Sequence, residues 1–143
     1  MNTDILRLGY EEPFVSAVVL SGGSAYGLSA ATGAAQEIKS VRKDPGWWTN
    51  IAVSTGAIIF DLGGRRYNAV TPDERLGRAA LKAAREGHFP LGARGAGRFA
   101  LQGGYYGARQ YSGQGGAFGT FGDVRIATFT VVNSLGGIVD RDG

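Results

Sequence analysis

The chain predicts an α+β fold, and three observations carry that prediction. Two segments have helical apolar spacing, a larger number of short runs read as strands, and helices and strands do not alternate regularly along the chain. No internal repeat is visible at any period typical of solenoids or propellers. A length of 143 residues with 43% hydrophobic content suffices for one modest core, so residues 1–143 are expected to form a single domain.

The elements follow in order. Val15 to Leu20 is a short apolar run bounded by Pro13 and by Ser21-Gly22-Gly23, which predicts a buried strand. From Ala25 the period changes. Leu28, Ala31, Ala35 and Ile38 fall on one helical face, and Ser24 is placed to cap the first turn. Gly27 and Gly33 weaken that helix by about 1 kcal/mol each relative to alanine, so something is expected to pack very close to it. Residues 40 to 50, with Lys43-Asp44-Pro45-Gly46 and Trp47-Trp48, read as a loop whose tryptophans cover the core or form a ligand platform. Ile51 to Leu62 reads as a strand turned by Gly63-Gly64. Thr71-Pro72-Asp73-Glu74 predicts a helix start, with Thr71 as N-cap, Pro72 at the first position and an acid reaching back to the cap. That helix carries Leu76, Ala80, Leu81 and Ala84 and stops at Gly87. Arg98 to Leu101 and Tyr111 to Phe118 are short strands or loops, and Val124 to Val132 alternates β-branched and aromatic residues as a strand does. It ends at Asn133.

Composition narrows the function. The formal charge of +3 comes from Lys and Arg scattered between acids, not from a basic block, which argues against nucleic acid as a partner. The absence of cysteine removes disulfides, thiolate metal sites and Cys nucleophiles, and fits a reducing cytoplasm. No apolar run approaches the ~20 residues of a membrane span and no signal peptide follows Met1, so a soluble protein without a membrane partner is expected. The sole histidine, His88, follows a helix and suits a contact with the helix end better than a metal site. No metal and no cofactor are expected.

Nucleotide loops fit poorly. Gly22-Gly23-Ser24-Ala25-Tyr26-Gly27 joins a strand to a helix, but Leu28-Ser29 stands where a phosphate loop needs Lys followed by Ser or Thr. Gly95-Ala96-Gly97-Arg98-Phe99-Ala100 matches a dinucleotide fingerprint without the strand and helix that give it meaning. What remains is a helix start whose amides, at residues 22 to 25, suit an oxyanion or carboxylate, with the Tyr26 hydroxyl one step inside the first turn. The plainer alternative is that the glycines make the turn and Tyr26 packs. Asn133 has two readings as well: a donor aimed at a substrate oxygen, or an amide that satisfies its own turn.

A resemblance adds to this. Residues 21–28 (SGGSAYGL), 57–62 (AIIFDL), 76–81 (LGRAAL), 95–97 (GAG), 113–118 (GQGGAF), 122–126 (GDVRI) and the stretch from Val132-Asn133 to Asp140-Arg141, in that order, resemble the nylon-oligomer hydrolases. These are 6-aminohexanoate-oligomer endohydrolases within the L-aminopeptidase/D-esterase type of self-cleaving peptidases. The resemblance implies an N-terminal-nucleophile amidase with an αββα sandwich of sheets covered by helices, assembled as a homo-oligomer and acting on an amide or peptide substrate. It implies catalytic roles for Tyr26 and Asn133, with Gly22, Gly23 and Ser24 lining the oxyanion and substrate side. Two departures stand against it. Gln102-Gly103-Gly104 occupies the place of the family's lysine, and the region that carries the family's cleavage site and Thr or Ser nucleophile is not matched by any of the 143 residues. The expectation is therefore the larger-chain part of such an enzyme, inactive alone and partnered by a nucleophile-bearing smaller chain or downstream segment. The rival expectation is a non-catalytic binding or assembly module that kept the scaffold.

Overall fold

The computed structural model of the chain describes residues 1–10, 14–42, 51–63 and 68–142. Its first strand, β1 (Ala17–Ser21), takes the apolar run predicted from Val15, and pairs in parallel with β2 (Ser54–Ile58), from Ala17 opposite Ser54 to Ser21 opposite Ile58. A parallel pair needs a long crossover. It is supplied by α1 (Ser29–Arg42). Residues 40–42 of the predicted loop belong to α1 instead, and residues 43–50, with both tryptophans, lie outside the described residues.

The outer edge of β2 is covered by the first two residues. The Met1 ammonium donates to the Gly56 carbonyl at 2.7 Å, and the Gly56 N–H donates to the Met1 carbonyl at 2.9 Å. Asn2 Nδ2 donates to the Ser54 carbonyl at 3.1 Å. Backbone groups that would otherwise be open to pairing are thereby satisfied.

Both helix starts differ from expectation. Ser24 does not cap α1: Ser24–Leu28 forms a 3-10 turn ahead of it, Gly23 stands at the N-cap with φ 84°, and no side chain caps the turn. Ser24 itself has φ 56°, in the left-handed region. In α2 (Glu74–Ala83) the cap is Asp73, not Thr71; its Oδ1 accepts the Leu76 N–H at 2.8 Å. Asp73 is extended (φ −117°, ψ −176°), as a cap residue must be. Pro72, two residues ahead of the helix, instead packs against Gly23.

The two helices cross at glycines. A Cβ on Gly33 would overlap the backbone of Glu74, and one on Gly77 would overlap the backbone of Ala30. This is the close approach that Gly33 predicts. Buried Glu37 on α1 adds ion pairs to Arg78 (3.7 Å) and Lys82 (3.5 Å) of α2.

Beyond α2 the strands are antiparallel. β3 (Leu101–Gln102) pairs with β4 (Gln110–Tyr111), and β5 (Gln114–Phe121) forms a hairpin with β6 (Val124–Val131). The fold is mixed, with a β–α–β unit first and hairpins after it. That opening unit follows the strand, helix and strand read from the sequence in this order; their parallel pairing is what the sequence left open. Among the described residues the buried apolar side chains are mostly alanines, Ala30, Ala31, Ala34, Ala96 and Ala100, with Ile59. The hairpin leaves Phe118, Phe121, Ile126 and Phe129 exposed.

Candidate functional site

The chain leaves β2 through Ile59, Phe60 and Asp61, and these three residues organise the region around the glycine turn. The Ile59 N–H donates to the Ser21 carbonyl at 2.9 Å, and the Ser24 N–H donates to the Ile59 carbonyl at 3.1 Å. One residue on, the Phe60 N–H donates to Asn133 Oδ1 at 2.9 Å. The next residue, Asp61, is buried, and its Oδ1 accepts the Gly23 N–H at 2.7 Å. The turn and the amide side chain at the end of β6 therefore meet on one short segment, although 109 residues separate Ser24 from Asn133.

The glycines of the turn have identifiable reasons. A Cβ on Gly22 would strike the Asp61 carboxylate, and a Cβ on Gly27 would strike the Gly22 carbonyl oxygen. Gly22 and Gly23 are buried, and Gly23 is left-handed. The Gly23 and Ser24 N–H groups, which the sequence offers to an oxyanion, are directed to Asp61 and to the Ile59 carbonyl. Their role here is to close the turn against the end of β2.

Tyr26 lies within the turn, with its side chain exposed. It is 69% exposed, and its hydroxyl makes no hydrogen bond among the described residues. Asn133 is exposed as well. Because its Oδ1 is held by Phe60, its Nδ2 is the half of the amide left to donate. An amide N–H pair on a side chain anchored through its oxygen is the kind of donor that stabilises a developing negative charge on a carbonyl oxygen.

Gln102 opens the Gln102-Gly103-Gly104 stretch in which the resemblance leads one to expect a lysine. It is buried; its Nε2 donates to Gln110 Oε1 at 2.7 Å, and its Oε1 accepts the Ile138 N–H at 2.8 Å. Both ends of the amide are thus engaged in holding β3, β4 and the C-terminal segment together. No cluster of three or more His, Cys, Asp or Glu able to hold a metal occurs among the described residues, and no described helix is long and apolar enough to cross a membrane.

Asp61 and Phe60 are the residues that sequence reasoning passed over. The signal was a buried-strand motif, Ile59-Phe60-Asp61-Leu62, ending in a carboxylate where an apolar residue or a turn former is the usual choice.

No protein-family model matches the chain. A 6-aminohexanoate-oligomer endohydrolase from Paenarthrobacter ureafaciens is 40% identical over 136 residues, which is 94% of this chain and 38% of that protein. A protein of the same name from Kocuria is 39% identical over 136 residues, again 94% of this chain and 38% of the relative. The chain is a homologue of these endohydrolases. A protein from Mycobacterium tuberculosis named as an uncharacterized aminopeptidase is 34% identical over 140 residues, 96% of this chain and 39% of that protein. The motif resemblance to the nylon-oligomer hydrolases thus holds across nearly the whole chain. The chain spans about two fifths of the length of these endohydrolase and aminopeptidase relatives.

Proposed function

We propose that the chain is the scaffold portion of an amide-bond hydrolase of the N-terminal-nucleophile class, with the Thr or Ser nucleophile on a segment outside these 143 residues. The names of the relatives support amide hydrolysis. The observation that carries the reading in this chain is Asn133, whose Oδ1 is held by the Phe60 N–H on the same short segment that closes the glycine turn, and whose Nδ2 is assigned here as the donor to substrate. In the proposed reaction the nucleophile's hydroxyl attacks the amide carbonyl, and its proton passes to the nucleophile's own α-amino group. Asn133 Nδ2 donates to the oxyanion. The leaving amine takes the proton as the C–N bond breaks, and water then hydrolyses the ester. Tyr26 is assigned the exposed face of the same cleft, where its hydroxyl donates to substrate, and Gly22, Gly23 and Ser24 form the wall behind it. The layered sandwich and homo-oligomer fit this reading, since the exposed β5–β6 hairpin has apolar side chains for a further layer to cover. The substrate class is a linear amide such as a 6-aminohexanoate oligomer or a small peptide amide.

The test is hydrolysis of a 6-aminohexanoate oligomer and of a peptide p-nitroanilide by the complete gene product. Asn133→Ala is expected to lower kcat by about 100-fold or more, the loss typical of one oxyanion donor. Tyr26→Phe is expected to lower it less, and an unchanged rate would return Tyr26 to a surface role. The 143 residues alone are expected to show no turnover; hydrolysis by them that Asn133→Ala abolishes would refute the external nucleophile.

One observation favours the second reading, a binding or assembly module that retained the scaffold. The Gln102-Gly103-Gly104 stretch, where the resemblance leads one to expect a lysine, has none, and both ends of the Gln102 amide are occupied. A complete gene product that binds an amide oligomer without cleaving it would establish the module.

A further inference from the structure

We propose that Asp61 is the positioning residue that holds the glycine turn and Asn133 as one rigid unit; this rests on the proposed role of Asn133. Residue 59 is fixed to the turn twice, through its N–H to Ser21 and its carbonyl to the Ser24 N–H. Asp61 fixes the chain again two residues later, by accepting the Gly23 N–H at 2.7 Å. Phe60 lies between two anchored neighbours, so the direction of its N–H is set by them. That N–H is what Asn133 Oδ1 accepts. The orientation of the Asn133 amide therefore depends on the carboxylate of the residue next to its anchor.

The surroundings of Asp61 support a built contact. The carboxylate is buried, with a relative exposure of 6%, and Gly22 leaves it space that any Cβ would take. A hydrogen bond from an N–H to a carboxylate is roughly twice as strong as one between neutral groups. Replacing the acid by its amide keeps the shape and weakens the tie; replacing it by alanine removes the acceptor and leaves the Gly23 N–H buried without one.

Residue-resolved amide hydrogen exchange on the complete gene product separates this proposal from alternatives. In Asp61→Asn the Gly23 and Phe60 amides are both expected to exchange about 3- to 10-fold faster, and in Asp61→Ala more than 10-fold faster, while amides of β5 and β6 keep their rates. The side-chain NH2 resonances of Asn133 are expected to shift in the same variants. Acceleration at Gly23 with Phe60 and Asn133 unchanged overturns the proposal, because Asp61 then holds the turn only. Uniform acceleration across all amides also overturns it, since that reports general destabilisation. If Asp61→Ala does not fold, Asp61→Asn decides alone. The readout needs no turnover, so a catalytically silent Asn133 would leave the coupling measurable and would sink only the hydrolase reading.

Discussion

Ser24 is the residue whose backbone the surroundings constrain most visibly. Its φ of 56° puts a non-glycine residue in the left-handed region, a conformation that costs L-residues roughly 1–2 kcal/mol. The Ser24 N–H to Ile59 carbonyl bond holds it there. Ser24→Gly relieves the strain, and after the extra entropy glycine loses on folding the expected gain is about 0.5–1 kcal/mol in urea unfolding. A loss of stability would show that the serine side chain makes a contact worth more than the strain. Gly27 predicts the opposite sign. Glycine to alanine in a helical turn ordinarily stabilises, but here the new Cβ meets the Gly22 carbonyl oxygen, a backbone atom that cannot step aside. Gly27→Ala is expected to cost about 2–3 kcal/mol, measured the same way.

At the scale of elements, the α1–α2 crossing rests on two glycines that face each other's backbones. Gly33→Ala and Gly77→Ala are each expected to destabilise by about 2 kcal/mol, against the helix-propensity gain of ~1 kcal/mol that alanine brings in an open position. A methyl group on Gly119 in β5 would enter open space, with nothing described within 4 Å of it, so Gly119→Ala serves as the control and is expected to be neutral within about 0.5 kcal/mol. Two neutral helix variants would mean that the helices do not approach as closely as described. The cap of α2 gives a second comparison. Asp73→Ala is expected to cost about 1 kcal/mol, and Thr71→Ala less than half of that, because Asp73 Oδ1 receives the Leu76 N–H. The reverse order would restore Thr71 as the cap.

On the whole-molecule scale the distribution of apolar surface is uneven. The β–α–β unit with α2 has a small, largely alanine core, whereas β5 and β6 expose Phe118, Phe121, Val124, Ile126 and Phe129 on a two-stranded hairpin. A hairpin of two strands is marginal in water without a surface to pack on. The 143 residues alone are expected to bind a hydrophobic dye through this hairpin and to self-associate, and Phe118→Ser with Phe129→Ser is expected to reduce both. A monomeric chain of 143 residues, cooperatively folded and without dye binding, would show the hairpin to be sufficient as it stands.

Much of this was legible along the chain because the signals are local. The β1 run, the long helix through Ala31 and Ala35, and the β6 alternation all depend on residues within a few positions of one another, and each appears as an element. Gly33 announced a close neighbour by its cost to the helix, and the ordered motifs announced the homology. Caps were less legible, because Thr71, Asp73 and Ser24 all carry suitable oxygens and only the backbone path selects among them. The parallel pairing of β1 with β2 was hidden too: strand partners are chosen by the crossover and by shared burial, neither of which has a local signature. The meeting of the turn with Asn133 is the furthest from the sequence. It needs Phe60 and Asp61 to present an N–H and a carboxylate to two segments from opposite halves of the chain. Local chemistry therefore determined which residues were able to donate, cap or turn, while long-range packing decided which partner each one received.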